Sequence, residues 1–113
     1  FHRTPSVEYS AGFLLLCTFV HIMVTYEWDP RKAQRNREKH GVSFADAVSV
    51  FEDPLALTML EATHGDEQRL VSMGMDLTGK LLVVVYTWRG STARIFSARR
   101  ATRSERRQYE SGG

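Results

Sequence analysis

The chain has 113 residues, of which 42% are apolar and 25% charged, and its formal net charge is +2. This length and composition suit one domain with a single modest core, which excludes several domains and wholesale disorder. The charges are nevertheless segregated along the sequence. Basic residues dominate positions 31–39 and again from 89 to the end, whereas acidic residues dominate positions 44–79. If the two basic segments meet on one face, they would bind a nucleic acid; the alternative is two solvated surfaces that never meet.

Residues 1–22 differ in character from the rest of the chain. The run from Gly12 to Val20 is strongly apolar, but a helix that crosses a bilayer needs about 20 such residues. We therefore interpret residues 1–22 as an upstream or disordered extension and residues 23–113 as the folded domain; a signal peptide or a membrane-associated segment is the alternative. The single Cys17 excludes an internal disulfide and favours a reducing, cytoplasmic location.

A strand and a polar helix are predicted at the start of this domain. Residues 24–28 alternate and are rich in β-branched and aromatic side chains, as in a strand. Asp29 then caps a helix with Pro30 at its first position, and Gly41 ends it. Only Ala33 is apolar between these ends. Because this helix has little to bury and its charges are nearly all positive, it is either a solvated surface or a ligand-binding face.

The remaining pattern predicts a second helix, four strands and a last helix. Ser43 caps the second helix, whose apolar residues repeat at helical spacing as far as Phe51, and Thr102 with Glu105 forms the capping box of the last helix. The strands are predicted at 55–61, 67–75, 80–88 and 92–98, with the continuously apolar third one at the centre of the sheet. We therefore predict an α+β fold in the order β-α-α-β-β-β-β-α, a mostly antiparallel sheet with the helices packed on one side.

The end of the chain is rich in arginine. From Arg89 onward, seven arginines are accompanied by only two glutamates. Arginine binds phosphate through two parallel hydrogen bonds and stays charged at any physiological pH. This segment is therefore expected to hold a polyanion.

Many short motifs between residues 24 and 110 resemble one known family. In chain order they are E-W-D at 27–29, K-A at 32–33, Asn36, K-H-G-V-S-F at 39–44, Ala47, V-F at 50–51, D-P at 53–54, E-x-R at 67–69, Gly74, L-L-V-V-V at 81–85, Thr87, Arg89, R-I-x-S-A-R-x-A at 94–101, E-R at 105–106, and Tyr109. In this order and spacing the chain resembles the BrnT toxins of bacterial type II toxin-antitoxin modules. The resemblance implies a RelE-like fold, a ribonuclease activity that arrests translation, and neutralisation by a BrnA-like antitoxin with a ribbon-helix-helix domain. It also implies binding to promoter DNA through the antitoxin complex.

One stretch departs from the family pattern. In the family, the strand that corresponds to residues 84–89 often reads V-x-H-T-E-R, whereas this chain has Tyr86 and Trp88 at the His and Glu positions. If that His and Glu transfer protons, neither replacement serves, because tyrosine has a pKa near 10 and tryptophan does not titrate. The chain is then either a ribonuclease that uses other groups or a binding module that has lost catalysis.

RNA cleavage without a metal needs a base for the 2′-hydroxyl, a cation for the phosphorane and an acid for the leaving 5′-oxygen. For a ribonuclease, Arg94 together with Arg99 or Arg100 is expected to stabilise the phosphorane, with Lys32 as a further cation. Surface ion pairs with the acidic segment are the alternative role for each of them. No cofactor or metal is expected, because no Cys/His cluster has the spacing of a zinc site.

The candidates for the base are Glu67, His40 and Tyr109. Glu67 and Arg69 project from one face of a strand and form either a pair beside the phosphate or a structural salt bridge. His40 is either the base or a group that satisfies the carbonyls at the end of its helix. Tyr109 either stacks on a base or donates a proton, or it packs the last helix. The residues expected to bind RNA are Arg31, Arg35, Arg89, Arg100, Arg106 and Tyr109.

Overall fold

The computed structural model describes residues 1–3 and 24–112, in which three helices pack on one six-stranded sheet. The strands are β1 (His2–Arg3), β2 (Thr25–Glu27), β3 (Leu57–His64), β4 (Glu67–Met75), β5 (Leu81–Arg89) and β6 (Thr92–Arg100). The helices are α1 (Pro30–His40), α2 (Phe44–Val48) and α3 (Arg103–Ser111), and a short 3-10 helix (Ser49–Glu52) follows α2. The interpretation of residues 1–22 as an extension falls mostly on residues 4–23, which lie outside the described residues. No helix of the described ranges is long and apolar enough to cross a membrane.

The sheet is mostly antiparallel, with the strand order β1-β3-β4-β5-β6-β2. Only β2 departs from this pattern among the described strands, because it runs parallel to β6 at the edge. The prediction of an α+β fold with a mostly antiparallel sheet is confirmed. The apolar strand β5 lies between β4 and β6, as its sequence predicts, and is buried on both faces.

The two faces of the sheet are covered by different helices. On the α2 face, Phe44 and Ala47 pack with Leu82 and Val84 of β5. On the α3 face, Tyr109 packs with strand residues whose side chains point to the other side of the sheet, namely Leu57, Met73, Leu81 and Val83. The expectation that all helices lie on one side therefore fails for α3. The reason is that β5 is apolar on both faces, so each face needs a cover.

The second helix is shorter than its apolar spacing predicts. It ends as an α-helix at Val48 and continues as the 3-10 turn. Because a 3-10 helix has three residues per turn, this change shifts which side chains face the core. Val50 is consequently fully buried, whereas Phe51 is half-buried at the edge of the same cluster.

Asn36 fixes α1 against the sheet. Its side chain is buried; Nδ2 donates to the carbonyl oxygens of Val42 (3.0 Å) and Ala98 (2.7 Å), and Oδ1 accepts from the Ala98 amide at 3.0 Å. The side-chain amide thus bonds both backbone groups of a β6 residue, as the peptide group of a neighbouring strand would. A helix with almost no apolar surface is held in this way, and its first turns lie along β6.

Candidate active site

A cluster of charged side chains lies on the α3 face, at the end of the sheet that α3 leaves open. We call it the charged end. Arg94 of β6 pairs in register with Thr87 of β5 and Glu27 of β2. Arg69 precedes Leu70, whose partner is Tyr86, and therefore lies beside Thr87. The charged end thus draws on four adjacent strands, and its members are Glu27, Glu67, Arg69, Arg89 and Arg94.

Four members of the charged end form a chain of alternating charges. Glu27 Oε1 lies 3.4 Å from Arg94 Nη1 and 3.8 Å from Arg89 Nη1. The second terminal nitrogen of Arg89, Nη2, lies 3.3 Å from Glu67 Oε2. These side chains are between 29% and 50% exposed, so their ion pairs add little stability and can open for a ligand. The expected partnership of Glu67 with Arg69 is replaced by its pairing with Arg89.

Glu27 is a member that the sequence reasoning did not single out as a site residue. Its nearness to Arg94 depends on the parallel pairing of β2 with β6, between residues far apart in the chain. Its sequence signals are its position near the end of a predicted strand, two residues before the Asp29 helix cap, and its place in the E-W-D motif.

Phe96 borders the charged end at an irregularity of β6. Val85 pairs with Ser97 but Tyr86 pairs with Ile95, so Phe96 has no partner on β5. Such a β-bulge redirects the side chain of the extra residue. Arg69 Cζ lies 4.5 Å, and Lys32 Nζ 5.1 Å, from the centre of the Phe96 ring.

These contacts bring the two basic segments together. Lys32 belongs to the polar helix and Phe96 to the arginine-rich segment, and Arg69 reaches the same ring from β4. Within the part of the chain that the structure describes, neither Lys32 nor Arg69 forms an ion pair with a carboxylate. Both cations are held by the ring and remain open to an anion.

A shallow pocket of about 290 Å³ continues from Phe96 along α1. Its lining consists of Lys32, Arg35, Asn36, Lys39, His40, Phe96 and Ser97. His40 therefore faces the same side as Lys32, while the amide of Gly41 bonds the Arg37 carbonyl at the helix end. Arg31 is exposed in the first turn of the same helix. The pocket extends the positive surface away from the charged end.

Arg99 is committed to a structural ion pair. Its two terminal nitrogens donate to the two carboxylate oxygens of Glu105, at 2.7 and 2.9 Å. This hydrogen bonding holds the pKa of Glu105 at about 2. The pair joins β6 to the start of α3, so the structure favours a structural role over phosphorane stabilisation for Arg99.

The remaining predicted RNA-binding residues lie elsewhere. Arg100 is exposed at the end of β6, and Arg106 lies 4.0 Å from Glu110 on α3. Tyr109 is 8% exposed, and its hydroxyl donates to Asp53 Oδ2 at 2.6 Å. Burial and then this hydrogen bond raise the pKa of Tyr109 to about 12. Of its three predicted roles, packing of the last helix fits the structure best, because the buried ring has no free face for a base and the hydroxyl proton is donated to Asp53.

The two residues that depart from the family pattern lie on the α2 face. Side chains of β5 alternate, so Tyr86 and Trp88 point away from Thr87 and Arg89. The buried Tyr86 hydroxyl is 2.8 Å from Ser72 Oγ, and burial raises the pKa of Tyr86. Both residues line an aromatic cavity of about 510 Å³. Because these two side chains lie on the other face, having Tyr86 and Trp88 in place of His and Glu does not alter the residues of the charged end.

Comparison with known proteins places this chain in one class, the toxins of type II toxin-antitoxin systems. The model of the family described as "Ribonuclease toxin, BrnT, of type II toxin-antitoxin system" matches residues 28–105, and the chain belongs to this family. A 1.1 Å crystal structure of the Brucella abortus ribonuclease toxin BrnT is similar, with a TM-score of 0.54 and 26% identity over 72% of this chain and 100% of that one. Among curated proteins, none matches the chain.

The described residues contain no group of three or more His, Cys, Asp or Glu side chains arranged to hold a metal ion. The charged end offers arginine, lysine and carboxylate groups instead. The cations can bind a phosphodiester, and the carboxylates can accept a proton from a neighbouring hydroxyl group.

Proposed function

We propose that this chain is a RelE-like, metal-independent endoribonuclease that acts in the cytoplasm and arrests translation. A BrnA-like antitoxin would neutralise it, and promoter DNA would be bound through that complex. The observation that carries the proposal is the charged end together with Lys32: Arg69 and Lys32 form no ion pair with a carboxylate, and they adjoin two arginines and two carboxylates. Membership of a ribonuclease toxin family and similarity to the Brucella toxin support it.

Arg94 is the proposed phosphorane-stabilising group. Its guanidinium group can donate two parallel hydrogen bonds to two non-bridging phosphate oxygens. Glu27 is the ion-pair partner that has to be displaced for that contact. Arg69 and Lys32 would add positive charge from the Phe96 side. These donors are already oriented before the substrate arrives, which is the condition under which electrostatic stabilisation is most effective.

The carboxylates supply the proposed base. When a phosphate takes over Arg94 or Arg89, the released Glu27 or Glu67 becomes a free acceptor beside the substrate. It would take the 2′-hydroxyl proton as that oxygen attacks phosphorus. His40 follows Lys32 by eight residues of α1, about 12 Å along the helix, so the leaving 5′-oxygen would take its proton from water or from the protonated carboxylate instead.

The test is induced expression of the full chain in a bacterial host, followed by colony survival and total RNA integrity. We expect growth arrest with RNA decay for the wild type and normal growth for Arg94→Ala. Arg107→Ala is the matched control, because Arg107 is an exposed arginine of α3 outside the charged end. If a neighbouring gene encodes a ribbon-helix-helix protein, its co-expression should restore growth. Normal growth on expression of folded wild-type protein would contradict the proposal.

The second candidate function is a binding module that no longer cuts RNA. The observation in its favour is that Tyr86 and Trp88 stand where the family often has His and Glu, and that they line an aromatic cavity. Such a protein would hold an antitoxin and would bind RNA with a steep salt dependence, because binding releases counterions. It differs from the ribonuclease in one observable property, since its bound RNA stays intact.

A further inference from the structure

Phe96 has an unusual place for a large apolar side chain. It is half-buried, yet it belongs to neither of the two core clusters among the described residues. Its backbone is the unpaired residue of a β-bulge, a feature that re-aims side chains near functional sites. Packing of the core therefore does not explain a phenylalanine at this position.

The surroundings of the ring are cationic. Arg69 and Lys32 approach the ring centre to 4.5 and 5.1 Å, and the adjoining pocket adds Arg35 and Lys39. An aromatic ring among cations is the combination with which proteins hold single-stranded nucleic acids: the cations bind phosphates and the flat groups stack on bases. A guanidinium over an aromatic ring also presents a flat surface on which a base can stack.

We propose that Phe96, with Arg69 and Lys32, is a stacking subsite for one unpaired base of the RNA, next to the phosphate bound by Arg94. The inference rests on the proposed function, because it concerns a nucleotide at the same site. Arg94 precedes Phe96 by two residues on β6, so a base on the ring and a phosphate on Arg94 belong to neighbouring nucleotides. A paired base cannot leave its helix to reach the ring at low cost, so the subsite selects single-stranded RNA.

The experiment measures binding separately from cleavage. A ten-nucleotide single-stranded RNA is made with 2′-O-methyl groups, which remove the attacking hydroxyl, and in a series of copies each base in turn is deleted to leave an abasic sugar. Affinities are measured for the full-length wild type, Phe96→Leu, Phe96→Tyr and Trp88→Leu. Trp88 is the matched control, since it is a 43% exposed aromatic residue on the α2 face.

We expect Phe96→Leu to bind the intact oligonucleotide roughly 5- to 100-fold more weakly than the wild type, as for the loss of one stacked base. The wild type should lose a similar factor at one abasic position, and Phe96→Leu should no longer distinguish that copy from the intact one. Phe96→Tyr keeps a stacking ring and should keep the discrimination, as should Trp88→Leu.

Two results would overturn the subsite. In the first, Phe96→Leu binds the abasic copy more weakly than the intact RNA by the same factor as the wild type does. In the second, the wild type binds every abasic copy as tightly as the intact RNA. Cleavage of the unmodified RNA is followed in parallel. A wild type that discriminates but leaves this RNA uncut contradicts the ribonuclease while supporting the subsite. A wild type that cuts as fast as Phe96→Leu, with no discrimination, contradicts the subsite alone.

Discussion

At the scale of single residues, Asn36 shows how a polar side chain can replace an apolar interface. It is the only buried residue of α1, and both atoms of its amide are hydrogen-bonded to the backbone of Ala98. The amide group thereby closes a segment of the β6 edge that would otherwise be open to another strand. The same contact positions Lys32, one turn earlier, beside Phe96.

Asn36→Leu should lower the free energy of unfolding by about 1–3 kcal/mol, because it leaves the buried amide and carbonyl of Ala98 without partners. Urea denaturation measures the change. Gln34→Leu is the control, since Gln34 is exposed on the same helix and its change should stay within about 0.5 kcal/mol. Equal effects of the two substitutions would show that the Asn36 hydrogen bonds do not hold α1.

At the scale of elements, α3 is held at its first turn by a carboxylate with two roles. Glu105 accepts from the Thr102 amide in the capping box and pairs with Arg99 of β6. The ordinary pKa of this carboxyl is 4.5, and in the folded protein the pKa is about 2. Between these values the unfolded chain binds more protons than the folded one, so stability rises with pH.

The stabilisation from Glu105 should therefore be complete above about pH 4.5 and should be lost as the pH falls towards 2. Melting temperatures of the wild type and Glu105→Gln, compared from pH 7 down to pH 2.5, measure it: the difference between the two proteins should shrink as the pH falls. Glu110→Gln, at a more exposed acid of the same helix, should leave the pH profile unchanged. A constant difference between wild type and Glu105→Gln would contradict the assignment.

The helix ends were predictable because their signals are local. Asp29, Gly41, Ser43 and the capping box each act within four residues, and all four are found as expected. The central position of β5 followed from its continuous apolar run. The site was only partly predictable, because it depends on pairing between distant segments: the register of Glu27 with Arg94, and the bulge that exposes Phe96, leave no local pattern.

At the scale of the whole molecule, basic and acidic side chains are mixed in the fold more than they are along the sequence. Glu67, from the acidic segment, pairs with Arg89, and Arg69 from the same segment adds to the basic surface. The α3 face is consequently divided into an apolar end under α3 and an open charged end. A site of mixed sign suits cleavage better than a purely basic surface would, because a base is needed beside the phosphate-binding cations.

The most direct test of the central claim, that the charged end cleaves RNA, is an assay with the purified full-length protein. Single-stranded RNA is incubated in excess chelator with the wild type, Arg94→Ala and Arg107→Ala, each shown to be folded by its melting temperature. We predict that the wild type and Arg107→Ala cut at similar rates and that Arg94→Ala is slower by about 10²- to 10³-fold, the cost of losing one preorganised electrostatic donor. Cleavage by Arg94→Ala at the wild-type rate would contradict the site, and RNA that the wild type binds but leaves whole would contradict the activity.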